Sequence, residues 1–264
     1  MYEETLPRPG TAVSSDIVRS SPGGYPRHSE LGLAAEEAIG AAIAAAGQPG
    51  EWARSSRGDG EMSVAPAGVA PATLLATALP RLAAALVRYN GNKTKEHQLR
   101  LRLGLDSGDI QVDARGVPRG GDPLVIAARL QEHPANREAM TAVPDAPICA
   151  LVSDTVYQRA VPYRALGLDP RHFRRLELRI EGREQIAWLY LPGFEPPDVD
   201  GAVRAQVAHE VVRAPAADEA GRAPVGDPKP KPAAPPGGVR IKRSSGIIVG
   251  DYGTVHQYRG GAEE

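Results

Sequence analysis

"SSRGDGEMSVAP", Ser55 to Pro66, sets an aspartate between two glycines just ahead of a short apolar segment. Asp-Gly between two strand-like runs is a strong hairpin signal, because the turn positions need positive φ, which these residues tolerate. The flanks "EWARSS" and "EMSVAP" then read as two strands joined by Gly58-Asp59-Gly60. Two uses are open to the aspartate at the tip. It can be a turn residue, or it can be a metal ligand, and the second use requires another carboxylate presented from a neighbouring strand.

Working outward from the hairpin, "TAVSSDIV" reads as a strand that carries Asp16 near its end, and "HSELGLAAEEAIGAAIAAAG" as a helix opening at Ser29 and stopping at Gly47. "PATLLATALPRLAAALVRYNG" is a second helix, which Pro80 is expected to kink or divide. In "HQLRLRLGLDSGDIQVDARG", Leu99, Leu101, Leu103 and Leu105 alternate with Arg100, Arg102 and Gly104. That period of two marks a half-buried strand, with Asp106 to Gly108 expected as its turn. "GGDPLVIAARLQEH" opens a third helix with Asp122 as N-cap and Pro123 in the first turn. "APICALVS" is another strand, Ser153 or Asp154 caps "TVYQRAV", and "FRRLELRIEGREQIAWLYLP" forms a closing hairpin that turns at Glu181-Gly182. The sum is an α/β or α+β sandwich with a mixed sheet.

The chain has 264 residues, enough to bury a substantial core, with 31 Lys+Arg against 32 Asp+Glu. Such a balance points away from nucleic acid as a partner. No stretch approaches ~18 uninterrupted apolar residues and the N-terminus lacks a secretory pattern, so the expectation is a cytoplasmic protein without a membrane span. Cys149, the single cysteine, lies in an apolar strand and reads as a buried structural thiol. The six histidines show no metal-ligand spacing. Residues 11–193 carry the alternating strand and helix signals, 194–239 form a Pro/Ala-rich linker, and 240–261 turn β-branched again. The linker, with "GDPKPKPAAPPGG", has too little apolar content to offset its ordering entropy and is expected to be disordered.

Three pieces in this order resemble the class III nucleotidyl cyclase homology domain, in its divergent actinobacterial form. They are "SSDIV" with Asp16, the Gly58-Asp59 turn, and "LRLRLGLDSGDIQ" followed by "GGDPLVIAARL" with Arg129. The resemblance implies an α+β, ferredoxin-like cyclase fold, with a mixed or antiparallel sheet and helices on one face, acting as a dimer with each site built from two protomers. It implies a nucleoside triphosphate whose ribose 3′-hydroxyl attacks the α-phosphate between two divalent ions, Mg²⁺ or Mn²⁺. The metal ligands would be Asp16, Asp59 and the backbone of Ile17, hard oxygen donors of the kind Mg²⁺ prefers. Arg129 would face the developing phosphoryl charge, and Ser55, Gly58 and Val125 would lie against the nucleotide. The departures are as informative. Ser55 stands where the family carries a base-reading lysine or glutamate, Val125 where it carries a ribose-positioning asparagine, and Pro118 at its second base-reading position. Valine and proline offer no side-chain donor or acceptor. The reading is therefore a degenerate domain that binds a nucleoside triphosphate; the alternative is an active cyclase releasing a 3′,5′-cyclic nucleotide and pyrophosphate.

The tail adds a second theme. "GIIVGDYGTVHQ" joins two short β-prone pieces and resembles bacterial relatives of the RIP homotypic interaction motif, with Ile247, Val249 and Gly250 matching and Ile248 replacing the usual glutamine. Asp251, Gly253 and Val255 complete the expected motif. A β-prone segment of about six residues without proline can stack in register with copies of itself or with a matching segment on a signalling partner. Docking of the same segment on the parent domain's sheet edge is the other outcome.

Overall fold

The computed structural model describes residues 6–19, 24–199 and 201. Residue contacts divide the chain into two units, Met1–Pro215 and Ala216–Glu264, and all described residues belong to the first. The expected interaction motif from Ile247 to Val255, and the linker beyond 201, lie outside the described residues.

The elements run β1 (Arg8–Ile17), α1 (Gly24–Ala46), β2 (Ala53–Arg57), β3 (Gly60–Pro66), α2 (Pro71–Thr73), α3 (Leu79–Asn90), β4 (Leu101–Val112), β5 (Pro118–Gly120), α4 (Asp122–Glu132), α5 (Pro134–Ala142), β6 (Ile148–Ser153), α6 (Asp154–Gln158), β7 (Phe173–Ile180) and β8 (Arg183–Tyr190). Their strands form one open sheet in the order β2-β3-β1-β4-β6-β8-β7, with β5 paired to β4. Only the β4–β6 pair is parallel; the other pairs are antiparallel. The α+β class with a mixed, mostly antiparallel sheet is thus the expected one.

Leucine alternation positions the core as period two requires. Leu101, Leu103 and Leu105 are buried against α1 and α3. The opposite face of β4 lies under α4, and Gly104 is where the two meet: a Cβ there would strike the Ala127 carbonyl and the Gln131 amide. Helices therefore cover both faces of the sheet rather than one. The physical reason is in β6, whose residues Ile148–Ser153 are all buried, with Ile148, Ala150 and Val152 facing the α1 side and Cys149 and Leu151 facing the α4–α5 side. A strand that is apolar on both faces must be covered on both.

Other local readings shift by physical competition. The Asp106–Gly108 stretch does not turn: β4 runs straight through it, paired to β1 at Gly10↔Gly108, Thr11↔Ser107 and Ala12↔Asp106. The chain reverses instead at Asp113, whose carboxylate accepts the Arg115 and Val117 amides. Helix α1 starts at Gly24, ahead of Ser29, and the N-cap of α4 is Gly121, with Asp122 as its first residue. Pro80 does interrupt its helix: the turn Leu74–Ala78 just before it is a π-turn, which separates α2 from α3. A proline lacks an amide hydrogen and crowds the preceding turn, and a wider turn relieves both. Glu181 and Gly182 form the β7–β8 turn with φ of 51° and 73°.

Candidate functional site

The hairpin that opened the reading builds the site. Gly58 takes φ 64° while Asp59 is absent from the positive-φ conformations, so glycine absorbs the turn's strain and leaves aspartate in ordinary backbone. Gly60 then pairs with Asp16 across the β1–β3 ladder. The approach is so close that a Cβ on Gly60 would run into the Ser15 carbonyl. Ile17 donates its amide to the Asp59 carbonyl at 3.3 Å. In an antiparallel ladder a residue's N–H and C=O face the same neighbour, so the Ile17 carbonyl is directed to the turn as well.

The two aspartates converge. Asp59 comes within side-chain hydrogen-bonding reach of Asp16. On the other side of β1, Arg102 is the β4 residue opposite Asp16, and its Nη2 donates to Asp16 Oδ2. The Arg102 Nε is buried with no hydrogen-bond partner among the described residues. Burial pushes the Asp16 carboxyl above its ordinary value, the Arg102 guanidinium opposes that, and the neighbouring Asp59 charge adds to it.

Two carboxylates and a backbone carbonyl form a hard-oxygen donor set, which suits Mg²⁺ or Mn²⁺ provided that water or a bound anion completes the coordination. Among the described residues no group of three or more His, Cys, Asp or Glu is placed to hold a metal. Of the two acids, Asp16 is already paired with Arg102.

Beside the turn, a cleft of about 470 Å³ opens between α1 and the β2–β3 hairpin, bounded by His28, Glu36, Ser56, Gly58, Asp59 and Glu61. Its size is that of a small-molecule pocket. Arg54, also in its wall, is fixed by two bonds to Glu61, at 2.7 and 2.6 Å. Side chains alternate along β2, so Arg54 and Ser56 line this cleft and Ser55, paired with Met62, does not.

The remaining expected residues lie on α4 and β5. Val125 is 49% exposed on α4. Arg129, on the same helix, donates to Glu181 in the β7–β8 turn at 2.5 Å and to Glu132 at 3.3 Å. Pro118 is buried in β5. The residue that sequence reasoning passed over is Arg102. Its signal was the "LRLRLGL" alternation, which sets Arg102 on the face opposite the leucines; the β1–β4 register that brings it to Asp16 is not visible in the sequence.

No protein-family model and no curated protein matches the sequence. Solved structures do resemble the described domain. An adenylate/guanylate cyclase/hydrolase from Silicibacter pomeroyi superposes with a TM-score of 0.50 at 21% identity, covering 71% of this chain and 99% of that one. A bacterial light-regulated adenylyl cyclase superposes with a TM-score of 0.53 at 12% identity, covering 76% of this chain and 57% of that one. At such identities the likeness defines the fold alone, that of the adenylate and guanylate cyclase domains. No described helix is long and apolar enough to cross a membrane.

Proposed function

We propose that the described domain is a cyclase-like signalling module that binds a nucleoside triphosphate through a divalent cation, Mg²⁺ or Mn²⁺, at Asp16, Asp59 and the Ile17 carbonyl. The observation that carries this reading is the convergence of Asp16 and Asp59, far apart in sequence, beside the Arg102 guanidinium. A cation needs the acids, and a polyphosphate needs both the cation and the arginine.

The domain is degenerate as a catalyst. Ser55, Val125 and Pro118 supply neither the base-reading nor the ribose-positioning groups that the family resemblance calls for, and Arg129 is engaged by Glu181 and Glu132. Losing one donor to a charged transition state costs ~3 kcal/mol, roughly a hundredfold in rate. Several losses together suppress turnover while leaving cation and phosphate binding in place. The module works as a dimer and passes its state to the C-terminal segment around Ile247 to Val255, an amyloid-like contact for a signalling partner.

Titration of the full chain with Mn²⁺ and each of the four common nucleoside triphosphates, with product assayed in parallel, tests this. Mn²⁺-dependent triphosphate binding, lost in Asp16→Ala, with little or no cyclic nucleotide, is the expected result. Rapid formation of cyclic nucleotide and pyrophosphate establishes the active-cyclase alternative instead. Failure to bind either Mn²⁺ or any triphosphate overturns the nucleotide reading.

A further inference from the structure

Arg102 has two claims on it. Its Nη2 is committed to Asp16, yet its Nε is buried without a hydrogen-bond partner among the described residues. Its position is fixed by the β1–β4 register rather than by a loop, so it cannot swing far, but the rotation of one guanidinium suffices to exchange partners. The Asp16 carboxylate is likewise shared, between Arg102 on one side and Asp59 on the other. Resting on the nucleotide reading above, we infer that the Asp16–Arg102 pair is an internal lock that makes cation and anion binding depend on each other. While the site holds no cation, Asp16 neutralises Arg102 and the guanidinium is a poor anion receptor. A divalent cation shared by Asp16 and Asp59 takes over the Asp16 charge and leaves Arg102 with donors to offer an incoming phosphate. By linkage, a phosphate that engages Arg102 frees Asp16 for the cation to the same extent.

The lock differs from plain charge neutralisation, and the difference can be measured. Inorganic tripolyphosphate, which has no base or sugar, is titrated into the full chain with and without Mn²⁺. Asp16→Asn removes the lock and one negative charge; Asp59→Asn removes an equal charge and leaves the lock in place. Without metal, Asp16→Asn is expected to bind tripolyphosphate about tenfold tighter than wild type and clearly tighter than Asp59→Asn, a change in the usual range of coupling between sites. Adding Arg102→Gln to Asp16→Asn should abolish that gain. In the otherwise unaltered chain, Arg102→Gln should reduce the factor by which Mn²⁺ and tripolyphosphate raise each other's affinity, an arm that does not require the Asp16 variant to fold.

Equal gains in Asp16→Asn and Asp59→Asn overturn the lock, as does a coupling factor that Arg102→Gln leaves unchanged. Either result leaves triphosphate binding itself intact. Absence of Mn²⁺ and tripolyphosphate binding in wild type and in every variant overturns the nucleotide reading as well.

Discussion

Asp106 shows how a single residue can be misplaced by local signals and corrected by its neighbours. Flanked by Ser107 and Gly108 it has the composition of a turn, yet it is 8% exposed inside β4. Two contacts hold this stretch extended: Ser107 and Thr11 share a buried hydroxyl hydrogen bond of 2.7 Å, and the Ser153 side chain bonds the Asp106 carboxyl. Burial raises the Asp106 carboxyl above its ordinary value, with Asp122 adding slightly, while the bonds from Ser153 and the Ser107 amide and the Arg159 charge oppose it. A carboxyl whose pKa is higher in the folded than in the unfolded state favours folding most when protonated. That contribution is complete below the unfolded pKa and is lost as pH rises through the raised folded value. Asp106→Asn keeps the acceptor for Ser153 and removes the charge. Its melting temperature should exceed wild type near neutral pH, and the gap should narrow as pH falls through the carboxylate range. Paired thermal melts across pH check this, and a gap independent of pH would show that Asp106 carries no burial penalty.

At the scale of elements, the contact between β4 and α4 determines how the second face of the sheet is closed. Gly104 permits the α4 backbone to lie directly on the strand, and a methyl group there would overlap the Ala127 carbonyl and the Gln131 amide. Overpacking a well-filled contact costs about 1–3 kcal/mol. Here the obstacle is backbone, which cannot rotate away, so Gly104→Ala should fall at or beyond the top of that range in a urea unfolding experiment. A loss under about 0.5 kcal/mol, the size of an ordinary surface change, would mean that α4 can shift freely. This contact also marks the limit of what sequence reading could see. The leucine alternation of β4, the Glu181-Gly182 turn and the Gly58-Asp59 hairpin were legible because each is set by residues next to one another. The π-turn before Pro80 was legible as a break, though not as its type. Cover on both faces, the straight course through Asp106 and the pairing of Arg102 with Asp16 were not, because each depends on which strands become neighbours. The acid pair was legible in part: the hairpin announced one member, the strand end suggested the other, and only the β1–β3 register set them side by side.

At the scale of the molecule, the sheet formed by the described residues leaves two edges, β2 and β7, and exposed edges are where chains add to one another. Both are guarded. The Arg54 amide of β2 is occupied by the Gly116 carbonyl, and β7 carries Arg174 paired to Asp198 and Arg175 paired to Glu177, charges that discourage a second strand from docking. The proposed self-assembly segment is "GIIVGDYGTV", which combines β-branched residues with low charge and follows the charged "RIKRSS", the kind of flank that slows premature association. A peptide covering Ser244 to Gly261 should form fibrils that bind thioflavin T, and Val249→Asp should abolish them by placing a charge in every layer of the stack. In the full chain the same substitution should remove fibril formation while leaving the domain's melting temperature and its Mn²⁺ affinity unchanged. Fibrils that persist in full-length Val249→Asp would trace assembly to the guarded edges after all, and would transfer the interaction role from the tail to the sheet.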